Sequence, residues 1–174
     1  MIGFSTIYAI ISFSCAYYGE MITYLGMSLP MAVLALFSWV KHPFKGNKSE
    51  VLINQSSKRE CFVICCLAVA VMIVFYFILK ALNTANLIWS TLSVATSFLA
   101  AAFSFRRSPF YALGYVLNDL ILIVLWTIAA IKDISYLSVI ICFVVFLAND
   151  FYGFISWQRR LKEQQSDPTS KFDC

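Results

Sequence analysis

The chain has 174 residues, of which 61% are hydrophobic and only 13% are charged, and its mean hydropathy is +0.80. This composition is typical of an integral membrane protein, because a soluble domain of this size could not bury several uncharged runs of about 20 residues. The net charge of +4 reflects 13 basic and 9 acidic residues. The basic residues lie in loops, so they indicate membrane orientation and not nucleic-acid binding.

Six apolar segments follow one another along the chain, at residues 1–18, 21–40, 61–79, 87–104, 110–131 and 136–157. Each is close to the length of about 20 residues with which a helix crosses a bilayer, so the sequence predicts an all-α membrane protein. The first segment is not expected to be a signal peptide, because no Lys or Arg precedes Lys41. The chain is predicted to turn at Gly19-Glu20 directly into the second segment.

Basic residues are concentrated in three regions, which sets the expected orientation. Eleven of the thirteen lie in the 41–60 loop, between the fourth and fifth segments, or after the sixth: Lys41, Lys45, Lys48, Lys58, Arg59, Arg106, Arg107, Arg159, Arg160, Lys162 and Lys171. Only Lys80 and Lys132 remain for the opposite side. The positive-inside rule therefore predicts that these regions and both termini are cytoplasmic.

The six cysteines show no CxxC or CxxH spacing. Five lie within or at the edge of apolar segments, where cysteine behaves as a small hydrophobic residue. Packing in the protein interior is therefore predicted for them, in preference to a disulfide or a metal site.

Two Asn-Asp pairs interrupt the fifth and sixth segments, at Asn118-Asp119 and Asn149-Asp150. An aspartate at the centre of a membrane helix costs roughly 2.5–3.5 kcal/mol on insertion scales, so it needs a partner or a water-filled cavity. The two pairs therefore predict a functional site on neighbouring helices. The alternative is a polar contact that only holds the helices together.

Helical spacing groups further polar and aromatic side chains with these pairs. The predicted substrate-binding set is Tyr111, Tyr115, Asn118, Asp119 and Trp126 from the fifth segment, Asn149, Asp150 and Tyr152 from the sixth, and Trp89, Ser93 and Thr96 from the fourth. Aromatic rings stack on a planar heterocycle, while amides and carboxylates hydrogen-bond to ribose hydroxyls. The set predicts binding of a small, aromatic, hydroxylated solute, with no catalytic residue, metal or cofactor.

A weak internal repeat relates the second and sixth segments. LPMAVLALFSW (29–39) aligns with LANDFYGFISW (147–157), and EMITYL (20–25) aligns with KDISYL (132–137). Both segments are predicted to cross in the same direction, and parallel-repeat transporters bind solutes near the midplane between their repeats. A single domain is predicted, with an incomplete first repeat at 1–40, a cytoplasmic loop at 41–60, a linker helix at 61–79, a second three-helix repeat at 87–157 and a cytoplasmic tail at 158–174.

The last two apolar segments lie in the stretch RRSPFYALGYVLNDLILIVLWTIAAIKDISYLSVIICFVVFLANDFYGFISW. This stretch strongly resembles the bacterial nicotinamide riboside transporters of the PnuC family. Two earlier stretches are similar to the Gram-positive branch of this family: TANLIWSTLSVATSFLAAAF and GEMITYLGMSLPMAVLALFSWVKHPFKGNKSEV. The resemblance implies a seven-helix, three-plus-one-plus-three bundle of the SWEET-like parallel-repeat type, of which six helices are predicted here and the first is missing. The family's W-x-x-W-x-x-x-N signature then corresponds to Tyr111, Gly114 and Asn118, so only the asparagine is kept.

The same resemblance implies facilitated diffusion of nicotinamide riboside, an NAD precursor, through an alternating-access site. It also implies a homotrimer in the plasma membrane and a cytosolic kinase that traps the solute by phosphorylation. Two other functions stay open from the sequence. One is a six-helix, thiamine- or riboflavin-type vitamin-binding subunit that works with a separate ATPase. The other is a membrane enzyme with Asp119 and Asp150 as an acid–base pair, although no H-E-x-x-H or G-x-S-x-G motif is present.

Overall fold

The structure, a computed structural model, describes residues 2–14, 18–44, 47–54, 56–84 and 86–166. Its helices are α1 (Ile2–Ser14), α2 (Tyr18–Thr23), α3 (Leu29–Lys41), α4 (Lys58–Ala81), α5 (Leu87–Phe105), α6 (Phe110–Ala130) and α7 (Leu137–Ser166). One π-helical turn, Tyr24–Ser28, joins α2 to α3, and a short 3₁₀ turn, Ile134–Tyr136, precedes α7. Two strands, β1 (Pro43–Phe44) and β2 (Asn47–Val51), form an antiparallel hairpin between α3 and α4.

Five of the six predicted segments are confirmed as helices that are long and apolar enough to cross a membrane: Met21–Lys41, Lys58–Ala81, Leu87–Phe105, Phe110–Ala130 and Ile134–Ser166. Of the first predicted segment, 1–18, the structure describes residues 2–14 as α1 and residue 18 as the start of α2. Residues 15–17 lie outside the described residues. The predicted turn at Gly19-Glu20 is wrong, since both residues belong to α2.

Helix α5 lies at the centre of the bundle and packs against α3, α4 and α6. Small side chains make this possible: its buried residues are Ser90, Thr91, Ser93, Val94, Thr96, Ser97, Ala100, Ala101, Ala102 and Ser104. Several hydroxyls bond to carbonyl groups of their own helix, as Thr91 Oγ1 does with Leu87 O at 2.7 Å. Such residues allow membrane helices to approach closely without leaving polar groups unsatisfied.

Gly114 of α6 sits against α5 where the two helices are closest. A Cβ atom at this position would lie 2.8 Å from Ala100 Cα and 3.0 Å from Ala100 Cβ. Both neighbouring atoms belong to the helix framework and have no flexible side chain that can move aside. The absence of a side chain at Gly114 therefore sets the separation of α5 and α6.

The outward faces of the bundle are apolar, as expected for contact with lipid. Phe62 of α4 is 70% exposed, and Val145 of α7 is 60% exposed. Cys65, Cys66 and Cys142 are also exposed. The predicted interior packing is therefore wrong for these three cysteines, because α4 and α7 turn one whole face away from the other helices.

The basic loops meet at one end of the bundle, called here the basic side. Leu52 N donates to His42 O at 3.0 Å, and Asn54 N donates to Arg107 O at 3.2 Å. Arg106 forms an ion pair with Glu60. The last two contacts tie the 41–60 loop, predicted from the sequence without any strand, to the turn between α5 and α6.

Helix α7 extends past the predicted end of the sixth segment at residue 157 and continues to Ser166. Gln164 in this extension contacts the end of the hairpin and the residues that follow it: its Oε1 accepts from Ile53 N at 3.0 Å and its Nε2 donates to Val51 O at 3.1 Å. The first part of the predicted tail is thus a helix that is held against the loop. Residues 167–174 lie outside the described residues.

The close packing at Gly114 predicts a strong effect of adding a single methyl group. Gly114→Ala is expected to destabilise the protein by about 1–3 kcal/mol, because the methyl group overlaps the α5 backbone. The measurement is the thermal unfolding midpoint of the purified protein in detergent.

Gly153→Ala on α7 is the matched control, since no atom of the described residues lies within 4 Å of its Cβ position. Its midpoint should stay the same or rise slightly, because alanine favours helix over glycine by roughly 0.5–1 kcal/mol. Equal midpoints for the two variants would show that α5 and α6 are not in the described contact.

Candidate functional site

A cavity of about 380 Å³ lies inside the bundle between α1, α3, α5, α6 and α7. Its lining combines aromatic rings with hydroxyl, amide and carboxyl groups: Ser5, Tyr24, Ser28, Trp39, Ser97, Ala101, Ser104, Tyr111, Tyr115, Asn118, Asp119, Phe143, Phe146, Asn149 and Asp150. None of these described lining residues is Lys, Arg or His. Cavities that hold small organic ligands commonly measure about 300–1,000 Å³, so this one is large enough for a small solute.

Asn118 projects from α6 toward α5 and is only 5% exposed. Its Oδ1 accepts hydrogen bonds from Thr96 Oγ1 at 3.0 Å and from Ser97 Oγ at 2.9 Å. An amide oxygen has two lone pairs, and both have a donor here. The helical spacing of α5, which brings Thr96 and Ser97 to the α6 side, thus holds the Asn118 side chain at the cavity wall.

Two acidic side chains share the cavity. Asp119 of α6 is 5% exposed, and its carboxyl group lies within hydrogen-bonding reach of Asp150 on α7. Asp119 Oδ2 is buried and has no hydrogen-bond partner among the described residues. Asn149 Nδ2 donates to Asp150 Oδ1 at 3.4 Å. Adjacent carboxylates repel each other, so this pair favours a cation nearby.

Three aromatic rings meet at the basic side of the cavity, and they are called here the basic-side cluster: Trp39, Tyr111 and Trp157. The ring centroids of Trp39 and Trp157 are 5.2 Å apart, and those of Tyr111 and Trp157 are 4.8 Å apart. Trp39 Nε1 donates to Ser104 O at 2.8 Å, which anchors the indole against α5. The cluster joins α3, α6 and α7 over one end of the cavity.

A second group of rings, called the distal cluster, closes around the other end: Tyr8, Tyr24, Trp126 and Phe143. Tyr8 lies at its centre, with its ring centroid 4.4 Å from that of Tyr24 and 5.8 Å from that of Phe143. Trp126 Nε1 donates to Tyr8 Oη at 2.7 Å. Because Tyr24 and Phe143 also line the cavity, this cluster forms its wall on the side away from the basic loops.

Six of the eleven predicted site residues line the cavity: Tyr111, Tyr115, Asn118, Asp119, Asn149 and Asp150. They come from α6 and α7, and the structure brings all six together. Thr96 does not line the cavity but contacts it through its hydrogen bond to Asn118.

The other four predicted residues lie elsewhere. Trp126 is 1% exposed inside the distal cluster, because seven residues beyond Asp119 place it about 10 Å farther along α6. Trp89 packs partly buried against the same cluster. Ser93 Oγ donates to Ser90 O at 2.9 Å within α5. Tyr152 is 71% exposed, because its offset of two residues from Asp150 turns it to the opposite face of α7.

Several lining residues were not predicted for the site: Ser5, Tyr24, Ser28, Trp39, Ser97, Ala101, Ser104, Phe143 and Phe146. Trp39 and Tyr24 lie near span ends, where aromatic residues are equally expected at the lipid interface. The repeat contained a signal for Trp39, since it aligns with Trp157 and the two rings meet beside the cavity. Ser97 shares a helix face with Ser93, four residues earlier, and this spacing is the signal that could have added it to the predicted set.

The comparisons with known proteins agree on one protein family. The nicotinamide riboside transporter PnuC of Neisseria mucosa is 26% identical over 162 residues, covering 90% of this chain and 61% of that protein. The chain therefore spans about three-fifths of the length of this relative. A crystal structure of the vitamin B3 transporter PnuC matches with a TM-score of 0.76 at 24% identity, covering 91% of this chain and 69% of the solved chain.

The family model described as nicotinamide mononucleotide transporter matches residues 1–159. The matched range contains every described residue that lines the cavity. The proteins of this family are transporters and not enzymes, so the interpretation of Asp119 and Asp150 as an enzymatic acid–base pair is wrong. With its helical bundle and apolar outer faces, the chain belongs to the nicotinamide mononucleotide transporter family of membrane proteins.

Proposed function

We propose that the protein transports nicotinamide riboside across the bacterial plasma membrane by facilitated diffusion. The observation that carries this proposal is the chemistry of the cavity wall: two carboxyl groups, two amides and several aromatic rings, with no basic side chain among the described lining residues. Nicotinamide riboside is a pyridinium cation with a planar ring and ribose hydroxyls. Acidic groups attract its charge, aromatic faces stack on its ring, and amides and hydroxyls bond to its sugar.

The same wall favours the nucleoside over the mononucleotide. A phosphate monoester adds about −1.5 to −2 charges at neutral pH, as in phosphorylated side chains. Asp119 and Asp150 would repel that charge, and no Lys or Arg of the described lining residues would compensate it. Phosphorylation by a cytosolic kinase would then prevent return of the solute, which is the trapping step that we include in the proposal.

The two aromatic clusters support an alternating-access route through the cavity. They join helices of the two proposed repeats at opposite ends: Trp39 of the first meets Trp157 of the second, and Tyr8 meets Trp126. Separation of one cluster while the other stays closed would open the cavity to one side at a time. We propose the repeat boundaries 1–40 and 87–157 with 61–79 as linker. A homotrimeric assembly is also part of the proposal.

The charge argument predicts a clear preference between solutes. Proteoliposomes containing the protein should take up labelled nicotinamide riboside with saturation and take up nicotinamide mononucleotide at least about tenfold more slowly, a difference of about 1.4 kcal/mol. Asp119→Asn and Asp150→Asn should each weaken riboside uptake, because each removes a negative charge from the cavity. For the same reason, each should reduce the preference for the riboside over the mononucleotide.

Phe151→Leu is the matched control, since Phe151 is adjacent to Asp150 in sequence but 58% exposed on the outer face of α7. Its uptake and preference should equal those of the unsubstituted protein. Faster uptake of the mononucleotide than of the riboside would contradict the proposal.

The orientation is proposed with the basic side and both termini in the cytoplasm. In α1, Gly3 lines a surface pocket together with Trp39 and Ser104 toward the basic side, whereas Tyr8 lies in the distal cluster. This helix therefore starts near the basic side. The concentration of Lys and Arg at that side is the expected mark of a cytoplasmic face.

Labelling of introduced cysteines in intact cells tests this orientation. A membrane-impermeant maleimide should react with Ser135→Cys, which is exposed between α6 and α7, and should not react with Gln165→Cys, which is exposed near the end of α7. The unsubstituted protein gives the background from its native cysteines. The reverse labelling pattern would refute the proposed orientation.

A further inference from the structure

The side chain of Asn118 reaches the cavity with one of its two polar atoms already occupied. Its Oδ1 receives the Ser97 and Thr96 hydroxyls, whereas its Nδ2 has no partner among the described residues and is not one of the buried, unsatisfied atoms. Because Asn118 lines the cavity, the NH₂ group is the part of the amide that a solute can reach. An NH₂ group is a donor only.

The identity of the two donors decides which way the amide points. The single proton of Thr96 Oγ1 has three acceptors in reach, since Leu92 O lies at 3.0 Å and Ser93 O at 3.1 Å in addition to Asn118 Oδ1. Ser97 Oγ has Asn118 Oδ1 as its hydrogen-bond acceptor, at 2.9 Å. If the amide rotated by half a turn, the Ser97 proton would lose this acceptor in a buried position, which is costly. Ser97 therefore determines the orientation, and Thr96 supports it.

We infer that Ser97, assisted by Thr96, is a positioning residue that fixes Asn118 as a hydrogen-bond donor and thereby makes the cavity select a solute with a matching acceptor oxygen. This inference rests on the proposed function. It adds that Asn118 donates, and the solute accepts, the hydrogen bond between them. The neighbouring carboxyl group of Asp119, which also lines the cavity, supplies the complementary acceptor. A primary carboxamide offers both an acceptor oxygen and N–H donors, so it satisfies both groups, while a bare pyridinium ring satisfies neither.

The test compares two solutes that differ only in this group. Uptake into proteoliposomes is measured for nicotinamide riboside and for pyridinium riboside, which has the same charge and sugar but no carboxamide. The readout is kcat/KM for nicotinamide riboside divided by kcat/KM for pyridinium riboside. A general loss of folded protein lowers both uptakes and leaves this ratio unchanged. Ser97→Ala should reduce this ratio by roughly fivefold, the effect of about one hydrogen bond.

The chain provides close controls on the same helix. Thr91 and Thr96 are both 6% exposed, and each hydroxyl bonds to the carbonyl four residues earlier, but only Thr96 contacts Asn118. Thr96→Val should therefore reduce the ratio and Thr91→Val should not. Thr96→Ser keeps the hydroxyl and should retain the ratio of the unsubstituted protein.

Each outcome separates this inference from the transport proposal. If the unsubstituted protein takes up nicotinamide riboside and Ser97→Ala leaves the ratio unchanged, the positioning role is refuted while the proposed function stands. An equal reduction by Thr91→Val and Thr96→Val refutes it as well, because the effect would then be a general one of α5 packing. If the unsubstituted protein takes up neither solute, the proposed function itself is refuted.

Discussion

The lack of hydrogen-bond partners in the bilayer interior is the constraint that arranges this protein. A polar group without a partner costs several kcal/mol in hydrocarbon, so each must be paired within the bundle or face an aqueous space. The polar side of α5 follows this rule: Thr91 bonds within its own helix, and Ser97 bonds to Asn118 on α6. Among the described residues, Ser12 Oγ of α1 and Asp119 Oδ2 of α6 are buried in bundle helices without a partner, and Asp119 lies at the wall of the cavity. The unpaired carboxyl oxygen of Asp119 and the cavity beside it therefore indicate the same location for a solute.

Charge selection and helix packing are connected through α6. Gly114 allows α6 to approach α5 closely, which brings Asn118 within 2.9 Å of Ser97. The next residue, Asp119, then faces α7 and Asp150. One helix thus presents an amide held by α5 and a carboxyl group paired with α7. The amide donor and one of the two acids of the cavity are thus consecutive residues of α6.

The sequence predicted the membrane helices well because long uncharged runs have few alternatives in structure. It also predicted Asn118, Asp119 and Asp150, because acidic and amide groups at membrane depth need an aqueous cavity or a partner. It did not predict Trp39 or Tyr24 at the cavity, since aromatic residues near span ends are equally expected at the lipid interface. Helical spacing shows which residues share a face but not where the neighbouring helix lies. For this reason, helical spacing from Asn118 and Asp150 did not show that Trp126 and Tyr152 lie outside the cavity wall. The hairpin was not predicted because its two strands are only 2 and 5 residues long and β2 is mostly polar.

The contact between Gln164 and the end of the hairpin has a mechanical consequence. Gln164 belongs to the same continuous helix as Asp150 and Trp157, and its amide is bonded at both ends, to Ile53 N and Val51 O. A tilt of α7 must either pull this segment along or break two hydrogen bonds at once. The loop at the water interface is therefore coupled to a helix deep in the bilayer, so displacement of that helix changes the shape of a surface that soluble molecules can touch.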